Sequence, residues 1–282
     1  MPSLPTTWPQ GLKTATLAVF GGLALGQTAR AQNTRIADYN RIGWITNTTT
    51  LRLAEKWSGH LEYQFRRDNW LSDWQQSLLR TGINYKVSDA LTVRLGYAWV
   101  ETFPYGDAPI QGAGVRFPEH RLYQAATLSS PPQGRVEISH RFMLEQRYFG
   151  RFLAPAAGKA VSDSPDEWVY VNRVRYMLRL QMPLGKPRME DKTPYLAAYN
   201  EILIGFGRNV NENIFDQNRL GLLLGYRFTP QFRLEGGYFQ QVLQLPREIG
   251  GRNVLQNNQG FIVNTVVNLD LRKKTDAVPA VK

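Results

Sequence analysis

Apolar and polar residues alternate with a period of two along most of this chain, in stretches of 8 to 14 residues. That period predicts strands with two chemically different faces rather than helices. From Arg219 to Phe228, one parity holds Leu220, Leu222, Leu224, Tyr226 and Phe228, and the other Arg219, Gly221, Leu223, Gly225 and Arg227. Leu91 to Val100 repeats the design, with Leu91, Val93, Leu95, Tyr97 and Trp99 opposite Thr92, Arg94, Gly96 and Ala98. Between Val169 and Met182 the contrast sharpens, Val174, Tyr176, Leu178 and Leu180 alternating with Arg173, Arg175, Met177 and Arg179. Arg135 to Arg147 and Phe261 to Leu271 follow the same rule. Weaker versions lie near Gly43–Ala54, His60–Arg67, Gln75–Tyr85, His120–Leu128, Tyr195–Phe206 and Phe232–Val242.

A chain of amphipathic strands can fold as a soluble sandwich, apolar face inward, or as a transmembrane barrel, apolar face to lipid. Three features point to the barrel. The polar face is dense in Arg interleaved with Gly, as a crowded interior requires. Strand lengths sit near the ~9–11 residues of a tilted membrane strand. Aromatic residues mark strand ends, at Trp57, Trp70, Tyr85, Trp99, Trp168, Tyr226 and Phe228, where amphipathic rings meet a bilayer interface.

The N-terminus supports export. Lys13 precedes an apolar run from Ala15 to Leu25, too short to span a bilayer as a helix. Ala29-Arg30-Ala31 then offers the small residues a signal peptidase accepts, so cleavage is expected before Gln32. The expected organisation is a signal peptide over residues 1–31, an outer-membrane β-barrel over 32–272 and a polar tail over 273–282.

Short connections (near 56–59, 86–90, 129–134 and 229–231) alternate with longer ones (101–118, 148–167, 206–218 and 243–257), as periplasmic turns and extracellular loops do. Pro183–Thr193 is long yet falls on the short side. Eleven strands are visible, and single-chain bacterial barrels have an even number. The expectation is therefore an all-β, antiparallel transmembrane β-barrel of twelve strands, the missing one in Asn33–Ile42, with ten as the alternative.

Composition trims the function classes. The 282 residues carry 34 Lys+Arg against 23 Asp+Glu and no Cys, which excludes disulfides, thiolate-bound zinc and Cys nucleophiles. Removing the leader takes Lys13 and Arg30 and lowers the formal charge from +11 to +9.

Several segments resemble the family called domain of unknown function 2490. They are Phe215-Asp216-Gln217-Asn218-Arg219-Leu220-Gly221, the run from Ser139 to Arg147, the run from Arg173 to Leu180, Gly82-Ile83-Asn84-Tyr85 followed by Gly96-Tyr97-Ala98-Trp99, and Tyr199-Asn200-Glu201. The resemblance implies an outer-membrane barrel of Gram-negative bacteria, particularly the Bacteroidetes type. It brings no activity and no active site.

The candidate chemistry lies on the polar face. Parity sends Arg66, Arg80, Arg94, Arg141, Arg147, Arg173, Arg175, Arg179, Arg219, Arg227 and Arg233 inward, with Glu62, Glu137, Glu145 and Glu235. Such a surplus of Arg suits a narrow pathway for small anions, because basic side chains in a pore favour them. The same residues suit a packed plug held by Arg–Glu pairs, in a non-conducting structural or interaction component of the envelope. A lipid-acting enzyme would need a base, and His140 is the candidate, but its neighbour Ser139 points to the opposite face. Asp163, Asp166 and Glu167 could hold a surface Ca²⁺ but read more simply as a solvated loop. No cofactor motif is present, and the basic residues alternate along strands instead of forming a nucleic-acid patch. The expected partners are outer-membrane lipid and either small anionic solutes or another envelope protein.

Overall fold

Among the described residues the two-residue period builds eleven strands: β1 (Arg35–Arg52), β2 (Trp57–Asp68), β3 (Asp73–Lys86), β4 (Leu91–Thr102), β5 (Phe117–Gln133), β6 (Val136–Arg151), β7 (Glu167–Pro183), β8 (Thr193–Phe206), β9 (Phe215–Arg227), β10 (Phe232–Ile249) and β11 (Arg252–Asp270). This computed structural model describes residues 35–154, 160–210 and 214–272. The expected signal peptide and the tail after residue 272 lie outside the described residues. Each strand pairs antiparallel with the next, and β1 closes the barrel by pairing parallel with β11.

Eleven replaces the expected twelve. The residues expected to form a separate strand, from Arg35 to Ile42, are the first half of β1, which continues unbroken to Arg52. An odd number of strands leaves the first and last running the same way, so closure must be parallel. Parallel hydrogen bonds are slanted and slightly weaker per residue. Length compensates here, with an uninterrupted register from Arg35 opposite Asn253 to Arg52 opposite Asp270. The turn Asn69–Leu71 folds over this seam on the outside, and Trp70 stacks on Phe261 with ring centroids 6.3 Å apart.

At one end the connections are short: residues 53–56, 87–90, 134–135 and 228–231, plus the longer 184–192. The other end carries residues 69–72, 103–116, 152–166 and 207–214. The long connection expected at 243–257 is instead a hairpin in which β10 and β11 run on to a Gly250-Gly251 turn, both glycines at positive φ, as a tight hairpin requires. Beyond the apolar belt the pattern inverts: Leu243, Leu245 and Val254 point inward and pack on Ala108 of the 103–116 connection.

Outward positions are occupied by Leu61, Leu79, Ile83, Leu95, Leu122, Phe142, Val174, Leu196, Leu222 and Leu224, all exposed. Along β10 this face runs from Phe232 to Val242, a height of about 25 Å at ~3.3 Å per residue and ~40° tilt. Polar side chains on it bond to one another. Gln124 and Gln146 exchange amide hydrogen bonds at 3.2 Å, and Asn200 and Asn218 do so at 3.1 and 3.2 Å. Asn47 donates to Thr265 (2.7 Å), the Tyr63 hydroxyl meets Ser77 (3.2 Å) and the Tyr176 hydroxyl meets His140 (2.9 Å).

Candidate functional site inside the barrel

Eleven strands ~4.8 Å apart and tilted ~40° enclose a backbone radius of about 11 Å. Long side chains from opposite walls therefore meet, and the inward parity supplies them. Tyr195 and Tyr199 lie across the wall over Gly225 and Gly221, where an added Cβ would stand 2.3 and 2.2 Å from their rings. The glycines between the arginines are the space those rings occupy.

The charged side chains form a chain of ion pairs. Glu119 accepts two bonds from Arg121, both 2.7 Å, and one from Arg147. Asp216 joins Arg173 at 2.6 Å, and Glu145 lies between Arg173 (2.7 Å) and Arg175 (2.9 Å). Glu201 draws in Arg175 (2.7 Å), Arg141 (2.8 Å) and, more distantly, Arg219 (3.5 Å). Glu62 pairs with Arg80 at 2.8 Å, with the buried His60 at 3.3 Å. Toward the short-turn end, Glu235 takes Arg179 and the Tyr195 hydroxyl, Glu137 accepts from Gln181 (3.1 Å), and Arg227 reaches Asp191 (3.1 Å). Arg94 bonds to Asn84.

Parity reasoning missed Glu119, Arg121, Glu201 and Asp216, four members of this chain, so the interior holds more acid than the four glutamates counted from sequence. Polar neighbours on the outer face, His120, Gln124 and Asn200, blur the alternation there. Asp216 turns in where β9 slips register against β8 between Leu203 and Ile204. Two of the four, Glu201 and Asp216, sit inside the segments that carry the family resemblance.

One layer differs. The Arg66 guanidinium lies 3.8 Å from the centroid of the Trp44 ring, and Arg219 lies 5.3 Å from it. Trp44 donates its indole N–H to Gln75 (2.7 Å) and packs on Phe239, ring centroids 4.4 Å apart. Arg66 bonds to the neutral amides of Gln64 and Gln76, and among the described residues no ion pair includes it. A cavity of about 150 Å³ lies toward the long connections and one of about 240 Å³ toward the short turns, and Trp44 and Arg219 line both.

The 103–116 connection folds into the mouth over the first cavity. Its Tyr105 donates to Gln256 (2.7 Å) and accepts from Asn258 (3.2 Å), and Asp38 accepts from the Ala108 amide (3.3 Å). On the far side Gln111 bonds to the Gly150 carbonyl (2.7 Å) and the Phe152 amide (2.9 Å). Burial pushes the Tyr105 phenol up to about 12. His140 faces outward, and its partner is the Tyr176 phenol, with Ser139 on the inner face.

An uncharacterized protein of Methylorubrum extorquens is 32% identical over 143 residues, covering 51% of this chain and 53% of that protein. The chain thus spans about half the length of the curated relative it matches. Among solved structures, the NanC porin aligns over 81% of this chain and 98% of its own, with a TM-score of 0.41 and 12% identity. Residues 42–249 match the family described as Protein of unknown function (DUF2490), and the chain belongs to it.

Proposed function

We propose that this chain is an exported outer-membrane β-barrel whose interior is a narrow pathway for small anionic solutes, closed at the level of Trp44 and Arg219. The membrane half of the reading is supported by the outer face. An apolar band of about 25 Å matches that of outer-membrane barrels. Outward amides and hydroxyls that bond to each other are what a surrounding hydrocarbon demands, since water would otherwise serve them.

The observation that carries the pathway is the pair of cavities sharing Trp44 and Arg219 in their linings. They lie end to end, separated by one layer of side chains. Arginines that no ion pair among the described residues includes, Arg66 above and Arg233 below, face them. Unneutralised cations along a confined path favour anions. Planar-bilayer recording of the purified protein tests this: discrete openings with a reversal potential toward that of the anion are expected in a salt gradient, and cation preference overturns the reading.

A second reading, a non-conducting envelope component with a packed interior, draws on the doubly paired carboxylates of Glu145 and Glu119. It predicts no openings at any voltage and stable co-purification with an envelope partner.

A further inference from the structure

Arg66 and Arg219 are both buried, 5% and 7% exposed, yet most of their bonds go to uncharged groups. All three nitrogens of Arg66 bond to Gln64 or Gln76, and Arg219 gives Nε and Nη2 to Gln217. The carboxylate nearest to either is Glu201, 3.5 Å from Arg219 and already bonded to Arg141 and Arg175. A guanidinium has five N–H donors, so Arg66 keeps donors to spare. Burying a cation without a counter-charge costs several kcal/mol in general. The acids that line the cavity above the two arginines, Glu119 and Asp216, are each shared between two other arginines.

The cavity above these two arginines has two kinds of wall. Its floor is Arg66, Arg219 and the Trp44 ring, with the amides of Gln75 and Gln217. Its sides are mixed: Phe117, Phe149, Val171 and Leu243 stand among the ion-paired Glu119, Arg121, Arg147 and Asp216, and Ile110 of the 103–116 connection closes over it. A bare inorganic anion would answer the floor and leave the sides unfilled. A cavity of roughly this volume is large enough to admit a benzene ring, which the apolar side chains can face while its substituent meets the floor.

We propose that the upper cavity is a binding site for a small monocarboxylate with an apolar, planar body. The carboxylate pairs with the guanidinium of Arg66, seconded by Arg219, and the body lies against Phe117, Phe149 and Leu243. This deepens the anion-pathway reading and rests on it for how the ligand enters, while the site itself is defined by the cavity.

The test is calorimetric titration of the purified, folded barrel in detergent with benzoate, benzyl alcohol and inorganic phosphate as probes. Folding is followed by the gel mobility shift between heated and unheated samples. Saturable benzoate binding, at least tenfold tighter than either other probe, is expected. Arg66→Gln should weaken it tenfold or more, and Arg66→Lys, which keeps the charge and loses the planar fork, should weaken it less. Benzyl alcohol binding as tightly as benzoate, phosphate binding as tightly as benzoate, no benzoate binding, or an unchanged affinity in folded Arg66→Gln each overturns the proposal. Should Arg66→Gln fail to fold, the ranking of the three probes on the unaltered protein decides. No current is measured, so loss of the channel reading in bilayers and loss of this site in the calorimeter are separate results.

Discussion

Gly260 of β11 passes so close to Ile42 of β1 that an added Cβ would stand 1.7 Å from the Ile42 carbonyl oxygen. The two are paired in the parallel register, so this contact lies in the seam that the odd strand number creates. Backbone cannot move aside as a flexible side chain can. Gly260→Ala should therefore open the register locally and lower stability by about 3 kcal/mol, the upper end of the usual cost of overpacking a core site. Urea titration of the folded barrel in detergent, read by its gel mobility shift, measures this. Gly236→Ala is the control, since its Cβ would have only ordinary contacts, the nearest at 3.7 Å. Equal midpoints for the two variants would show that the seam is looser than described.

Glu145 holds two arginines at once. It is fully buried, as is Arg173, and Arg175 is nearly so. Removing its charge leaves Arg173 with Asp216 and Arg175 with Glu201 as remaining partners. Breaking a buried pair by deleting one partner costs about 3–5 kcal/mol when nothing else compensates. With those two carboxylates still in place, Glu145→Gln should fall at or below the lower end of that range, and Glu145→Gln combined with Glu201→Gln well beyond it. A double-mutant cycle on urea midpoints reads the coupling. Strict additivity would mean that the two carboxylates do not share Arg175.

Most strands could be read from the sequence because the two faces differ most where a single wall separates the apolar outer band from the packed interior, as in Leu91–Val100 and Arg219–Phe228. The readable pattern failed where that contrast fades or reverses. On β1 the outward Asn47 and Thr49 are polar and bond with each other and Thr265, so the period is weak there and does not join Arg35–Ile42 to the rest of the strand; the even-number rule for barrels then asks for a separate strand in that stretch. On the upper arms of β10 and β11 the outside is beyond the apolar belt and the inside packs on Ala108. The apolar parity there faces in rather than out, and the hairpin resembled a loop. The Arg66–Trp44 stack joins residues on different strands whose juxtaposition follows from register, which no local pattern encodes.

The 103–116 connection is pinned at the mouth by a phenol, and that gives it a pH limit. Burial raises the folded-state value of Tyr105 to about 12, against an unfolded value of about 10. A raised value means that the neutral phenol is favoured in the folded form. Its contribution is full below pH ~10 and is lost as pH climbs toward ~12. Proteolysis of the connection should stay slow and constant through neutral pH and accelerate in that alkaline window. Tyr105→Phe, which cannot donate to Gln256, should be cut faster at every pH without the alkaline step. An alkaline step persisting in Tyr105→Phe would place the titrating group elsewhere.

Trp44 fills the layer between the two cavities, and its removal separates pathway from plug. The ring touches Phe239 and carries Arg66, so Trp44→Ala joins the cavities and frees a guanidinium at once. Truncating a buried Trp costs about 3–5 kcal/mol, so folding must be checked by the gel mobility shift before any current is read. If the layer is the constriction, single-channel conductance should rise severalfold in Trp44→Ala while anion preference persists, because Arg66 and Arg219 remain. Trp44→Phe keeps a ring but loses the bond to Gln75, and should leave conductance near that of the parent. The pair of variants distinguishes bulk from hydrogen bonding as what closes the interior. A folded Trp44→Ala barrel that still passes no current would place the block elsewhere, at the Tyr105 lid or in the Glu145–Glu201 ion-pair chain. Deleting residues 105–113 in the Trp44→Ala background then tells those two apart: openings on deletion identify the lid, and continued silence identifies the ion pairs and favours the packed, non-conducting reading.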